Sequence, residues 1–215
     1  MSASNDDLAV IKVIENGPYV LEGEVEVVDA AGEDVSRDGK AFLCRCGRSR
    51  NKPFCDGSHN DIDFDGSETA DRGPIVDRRK SYESKELTIH DDRSICSHAA
   101  ECTDRLPQVW RIRGRPWIDP RGAPAEEVRE VIPACPSGAL QYVDQGRDEP
   151  SEDPADPAIR AAVHGPLELR GPIAVEASDG TPYEVRNRQT LCRCGLSSNK
   201  PFCDGSHWDK FKDPE

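Results

Sequence analysis

Two sixteen-residue phrases carry most of the reactive side chains: CRCGRSRNKPFCDGSH at Cys44–His59 and CRCGLSSNKPFCDGSH at Cys192–His207. Each spells C-x-C-x8-C-x3-H. Thiolates suit iron–sulfur clusters or zinc, and neutral imidazole suits either. Zinc modules usually open C-x2-4-C, so a C-x-C start with an eight-residue gap is unusual for zinc. A bridge between Cys44 and Cys46 is disfavoured, because residues two apart fit disulfide geometry poorly. A helix beginning near Pro53 puts Cys55 and His59 four apart on one face, so both reach one cluster. Asp56 and Ser58 can satisfy free amides at that helix start or support the ligands from behind. Asp204 and Ser206 repeat the arrangement around Cys203 and His207.

Three cysteines remain of the nine: Cys96, Cys102 and Cys135. They read C-x5-C…C-P, with Pro136 after the last. Bacterial-type ferredoxins use C-x2-C-x2-C…C-P. On that pattern Cys96 is the first ligand, Cys102 the third and Cys135 the remote one. The second position is Ala99, which cannot ligate. His98 is the nearest alternative donor. Buried structural thiols would also explain the trio, but the nine cysteines divide as three, three and three, leaving none unassigned.

The elements that must position these residues repeat as well. Cys44 falls on Cys192 at an offset of 148 positions, and the match runs upstream without a gap. Asn16–Gly32 aligns with His164–Gly180, placing Gly17 on Gly165, Gly23 on Gly171 and Gly32 on Gly180. A whole module is therefore duplicated. GEVEVVD and GPIAVEA read as short strands ended by turn signals, and KAFLC and RQTLC as strands entering the cysteines.

Between the copies KELTIH reads as a strand, CSHAAECTDRLP as a helix, VWRI and RPWID as a hairpin, APAEEVREVI as an amphipathic helix and ALQYVD as a strand. That order, β-α-β-β-α-β, is ferredoxin-like. The expected organisation is a first module at 1–65, a linker at 66–84, the middle unit at 85–145, an acidic, proline-rich linker at 146–163 and a second module at 164–215.

The paired phrases resemble the mitoNEET-like CDGSH iron–sulfur domain, over roughly Gly17–His59 and Gly165–His207. The resemblance implies a 2Fe-2S cluster in each module. Cys44 and Cys46 would hold one iron and Cys55 and His59 the other, with Cys192, Cys194, Cys203 and His207 doing the same. Family members pair two modules around a β-rich cap, so two copies in one chain imply an internal pseudo-dimer. The middle unit, about Leu87–Val143, resembles the divergent single-cluster ferredoxin domains fused to CDGSH modules in bacteria. Three cysteines imply a 3Fe-4S cluster, with 4Fe-4S as the alternative and His98 as its candidate fourth ligand. The expected fold class is α+β.

The chain has 215 residues, is 35% hydrophobic and carries a net charge of −13. That charge argues against nucleic acid, whose phosphates need a basic footprint. The first residues show no signal peptide, and no apolar run is long enough to span a bilayer. Clustered cysteines then suit a reducing cytoplasm. No nucleophile–base pair or phosphate loop stands out, so the reading is a non-enzymatic electron carrier. Its partners would be a reductase and an acceptor. The alternative is a cluster carrier delivering to an apo iron–sulfur acceptor, or a redox or pH sensor, since a histidine ligand can be protonated.

Overall fold

The computed structural model describes residues 8–152 and 155–213. Expectations on residues 1–7 (read for a targeting signal), 153–154 in the second linker and 214–215 lie outside the described residues. The chain runs through β1 (Val10–Val13), β2 (Tyr19–Glu22), β3 (Glu26–Val28), β4 (Lys40–Leu43), α1 (Ile75–Arg78), β5 (Lys80–Glu83), β6 (Leu87–Asp91), α2 (Glu101–Arg105), α3 (Ala125–Val131), β7 (Leu140–Asp144), β8 (Ala158–Ala161), β9 (Leu167–Arg170), β10 (Ala174–Glu176) and β11 (Arg188–Leu191). It is α+β, mostly strands with few helices.

The 148-residue offset holds for the elements: it carries β1, β2, β3 and β4 onto β8, β9, β10 and β11. The copies do not fold side by side. One sheet has the order β10-β1-β2-β4 and the other β11-β9-β8-β3. Val10 pairs in parallel with Ala174, and Glu26 in parallel with Ala158. Each copy thus places its third strand on the edge of the other's sheet. The inward faces form one shared core, with Ile11, Tyr19, Leu21 and Leu43 meeting Ile159, Leu167, Leu169 and Leu191. β1 and β8 alternate inward and outward, as half-buried strands do. Each fully buried aliphatic side chain contributes about 1.5–3 kcal/mol, and both copies supply side chains to the one core.

The middle unit has a three-stranded antiparallel sheet, β5-β6-β7. α3 covers it with Ala125, Val128 and Val131, three apart on one face. Its order, β-β-α-α-β, differs from the expected ferredoxin pattern. The VWRI and RPWID hairpin reduces to a single bridge, Trp110 to Ile118. Pro116 has no N–H for a second rung, and Arg111 Nη2 donates to its carbonyl instead (2.8 Å). The helix expected from Cys96 begins only at Glu101, because His98 and Ala100 take left-handed backbone (φ 58° and 65°). β5 and α1 lie in the segment read as a linker, and β8 in the one read as acidic linker. Among the described residues no helix is long and apolar enough to cross a membrane.

Candidate metal centres

In each copy the cysteine loop doubles back against the strand that feeds it. Cys44 N donates to Pro53 O and Cys55 N to Phe42 O, both at 2.7 Å. Cys192 N donates to Pro201 O and Cys203 N to Thr190 O, both at 2.9 Å. Phe54 and Phe202 are held in β-bridges to Leu43 and Leu191. The chain is therefore extended where a helix was expected to start. The first copy instead makes a single 3-10 turn at Ser58–Asp61. Cys55 and His59 still meet, with Sγ 3.4 Å from Nδ1, and Cys203 and His207 repeat this at 3.3 Å.

The thiols approach without bonding: Cys192 Sγ and Cys194 Sγ lie 3.6 Å apart, and all nine cysteines are free. A hydrogen bond from Cys194 pushes the Cys192 thiol down, while Cys194 itself rises. Cys46 does the same for Cys44. One thiol of each C-x-C pair is thus the easier to ionise. Burial pushes Cys203 up to about 12 and lowers His207, which keeps the imidazole neutral with a free lone pair. Backbone N–H groups of Gly57, Gly205 and Leu196 point at the sulfurs of Cys55, Cys203 and Cys194, each at 3.4 Å.

Donors that meet in pairs, each backed by amide N–H groups, fit a group with two metal atoms and two protein donors to each. Among the described residues, no three His, Cys, Asp or Glu side chains close around one ion.

Asp56, Ser58, Asp204 and Ser206 fold the loop and do not contact the sulfurs through their side chains. The Asp56 carboxylate accepts from Arg50 N (2.8 Å), Ser58 N (3.0 Å) and Ser58 Oγ (2.7 Å). Asp204 accepts from Ser198 N (2.8 Å), Ser198 Oγ (2.7 Å) and Ser206 N (2.9 Å).

Cys96, Cys102 and Cys135 line one hollow, together with His98, Ala99 and Pro136. Burial pushes Cys102 up to about 12, and the neighbouring Cys135 and Cys96 add to the rise. Arg93 Nη1 donates to Cys96 Sγ (3.2 Å), and its guanidinium lies 3.9 Å over the Trp117 ring. Ala99 places a methyl group where the bacterial pattern has its second cysteine.

The family described as iron-binding zinc finger, CDGSH type, matches residues 16–60 and 164–208. The family described as divergent 4Fe-4S mono-cluster matches residues 82–145. The chain belongs to the CDGSH iron–sulfur family. It is an iron–sulfur-binding protein with two CDGSH domains flanking a divergent 4Fe-4S domain. "Uncharacterized protein YjdI" of Escherichia coli (strain K12) is 30% identical over 63 residues, 29% of this chain and 83% of that protein. "CDGSH iron-sulfur domain protein" of Drosophila melanogaster is 40% identical over 60 residues, 27% of this chain and 41% of that protein. A "CDGSH iron-sulfur domain-containing protein 2 homolog" of Drosophila persimilis is 40% identical over 57 residues, 26% of this chain and 38% of that protein.

Both CDGSH loops hold a residue that the cysteine spacing hides. Arg45 and Arg193, each between two cysteines, are 1% exposed. Arg45 binds the carbonyls of Ile14 (3.0 Å) and Gly66. Arg193 binds Gly165 O (2.8 Å) and Ala162 O (2.6 Å), and grips Asp213 with both Nη atoms (2.5 and 2.7 Å). The repeated C-R-C was the available signal. A buried guanidinium draws backbone carbonyls around itself and so fixes the loop that presents the thiols.

Proposed function

We propose that the protein is a multi-cluster electron carrier. Cys44, Cys46, Cys55 and His59 would hold one 2Fe-2S cluster, and Cys192, Cys194, Cys203 and His207 a second. Cys96, Cys102 and Cys135 would hold a 3Fe-4S cluster. The observation that carries this reading is the pairing of donors at 3.3–3.6 Å with no disulfide formed. When bound, such clusters accept and release single electrons. The chain's own contribution is electrostatic. Amide N–H groups aimed at the sulfurs favour the more negative, reduced state. A neutral histidine in place of a thiolate removes negative charge and raises the reduction potential.

The exchanged strands and the facing Cys46 and Cys194 support an internal pseudo-dimer around a shared β-cap. The three-stranded sheet with two helices supports a ferredoxin-like middle unit without its hairpin. Free thiols suit a cytoplasmic carrier that works between a reductase and an acceptor and has no catalysis of its own. A 4Fe-4S centre is the second reading for the middle site. The family description favours it, and so does His98 lining the same hollow.

The competing role is cluster delivery, favoured by the partial exposure of Cys55 and His59. Mixing the reduced holo-protein with an oxidised ferredoxin and, separately, with an apo-ferredoxin decides between them. The carrier of electrons reduces the first and leaves the second colourless after separation. Colour in the apo-ferredoxin would establish delivery instead.

A further inference from the structure

The duplication supplies its own control. Cys55 and His59 are both partly exposed, whereas their counterparts Cys203 and His207 are 2% and 7% exposed. The motif is the same, so the difference comes from what lies against it. A Cβ on Gly205 would sit 3.0 Å from His98 Cβ and 3.2 Å from its ring, so the middle unit packs tightly against this glycine. At Gly57 the nearest atom is the neighbouring Asn60 amide, at 4.0 Å.

The second copy departs from the first at the contact points. Trp208 stands where the first copy has Asn60. Its Nε1 donates to His98 O (3.2 Å), and its ring stacks on His207 with centroids 5.4 Å apart. Asn199 Nδ2 donates to Ser94 O (2.8 Å), while the matching Asn51 is exposed. Arg188 replaces the exposed Lys40 and donates to the carbonyls of Ile132 (2.7 Å), Cys135 (2.8 Å) and Leu140 (2.9 Å). One interface therefore covers the second CDGSH site and grips the backbone of the middle site.

We propose that the middle unit is a built-in cover that makes the two CDGSH sites unequal. The second site is sealed, and the first, open along its Cys55–His59 edge, is where outside molecules gain access. The iron–sulfur reading enters only in what is exchanged there; the difference in access stands without it.

Timed iodoacetamide labelling of the full chain, its iron first measured and then stripped with a chelator, with mass spectrometry of the Cys55 and Cys203 peptides, tests this. Cys55 should label faster by about tenfold or more, because Cys203 needs the cover to open. Trp208→Asn, which installs the first copy's residue at an exposed position, should speed Cys203 and leave Cys55 unchanged. Arg188→Lys, the first copy's residue at that place, should do the same from the far side of the interface. Equal wild-type rates, or variants that speed both cysteines alike, overturn the proposal. Iron analysis of the same samples separates the two ideas. Little or no iron before stripping would sink the cluster reading alone, and equal rates after stripping, in a chain that had held its iron, would sink the cover alone.

Discussion

Cys46 and Cys194, the same position in the two copies, face each other in an isolated antiparallel bridge. The glycine after each lies against the other's backbone. A Cβ on Gly47 would sit 2.6 Å from Cys194 O, and one on Gly195 2.8 Å from Cys46 O, with φ +80° at both. The two candidate centres therefore share a wall of main chain. Gly47→Ala and Gly195→Ala should each cost about 2 kcal/mol or more, from strain and overlap together. Gly32→Ala, at φ +87° with nothing within 4 Å, carries only the left-handed penalty of about 1–2 kcal/mol. Urea midpoints of the three variants check the order.

Arg193 is fully buried and its charge is met by Asp213. Burial alone would raise the Asp213 carboxyl, but the hydrogen bonds from Arg193 outweigh it and hold the group below its ordinary 3.8. A lowered folded value means that this stabilisation is complete above pH 3.8 and is lost as the pH falls through the folded value. Asp213→Asn should cost about 3 kcal/mol at neutral pH by leaving a buried guanidinium uncompensated. The variant should also show a shallower loss of stability below pH 4 than the wild type, by about the share this one group contributes.

Arg188 and Lys40 are matched positions with opposite surroundings. Arg188 has three carbonyl partners and Glu152 (2.6 Å), and its side chain is 7% exposed. Lys40 makes one ion pair with Glu22 and its side chain is 65% exposed. Arg188→Ala should destabilise the chain by about 3 kcal/mol, and Lys40→Ala by no more than about 0.5 kcal/mol. Equilibrium unfolding of both variants measures the contrast.

Deleting single donors should remove iron in separate parcels. Cys135→Ser should lose about three irons and leave the CDGSH absorbance, while Cys203→Ser should lose about two. Iron assay alongside visible circular dichroism tells the two apart.

Much of this was legible in the sequence. The cysteine phrases and their 148-residue offset marked both modules, and the offset carried over to all four strands of each copy. β1 was not read as a strand, and β8 was missed because it follows an acidic, proline-rich stretch that read as linker. The exchange of β3 and β10 was not legible, because strand periodicity says which face is buried and nothing of which neighbour completes the edge. The segment from Glu68 to Ile75 read as linker by composition. It is strapped to the second module by Thr69 N on Lys200 O (2.9 Å), Tyr183 Oη on Glu68 (2.9 Å) and Ile75 N on Glu184 (2.7 Å). Polar side chains can tie a loop down as well as solvate it. At the middle site Cys102, Cys135 and the gap at Ala99 were read from spacing alone. Arg93, which touches Cys96, was hidden because its role depends on the fold.

The most direct test of three clusters on one chain is the iron and acid-labile sulfide content of anaerobically purified protein, with EPR of the oxidised sample. The account predicts about seven irons and eight sulfides per chain, with an oxidised-state signal from the three-cysteine centre. About eight irons without that signal would move the middle site to 4Fe-4S and its fourth ligand to His98 or water. About four irons and four sulfides would contradict the three-cluster account and leave Cys96, Cys102 and Cys135 as buried thiols.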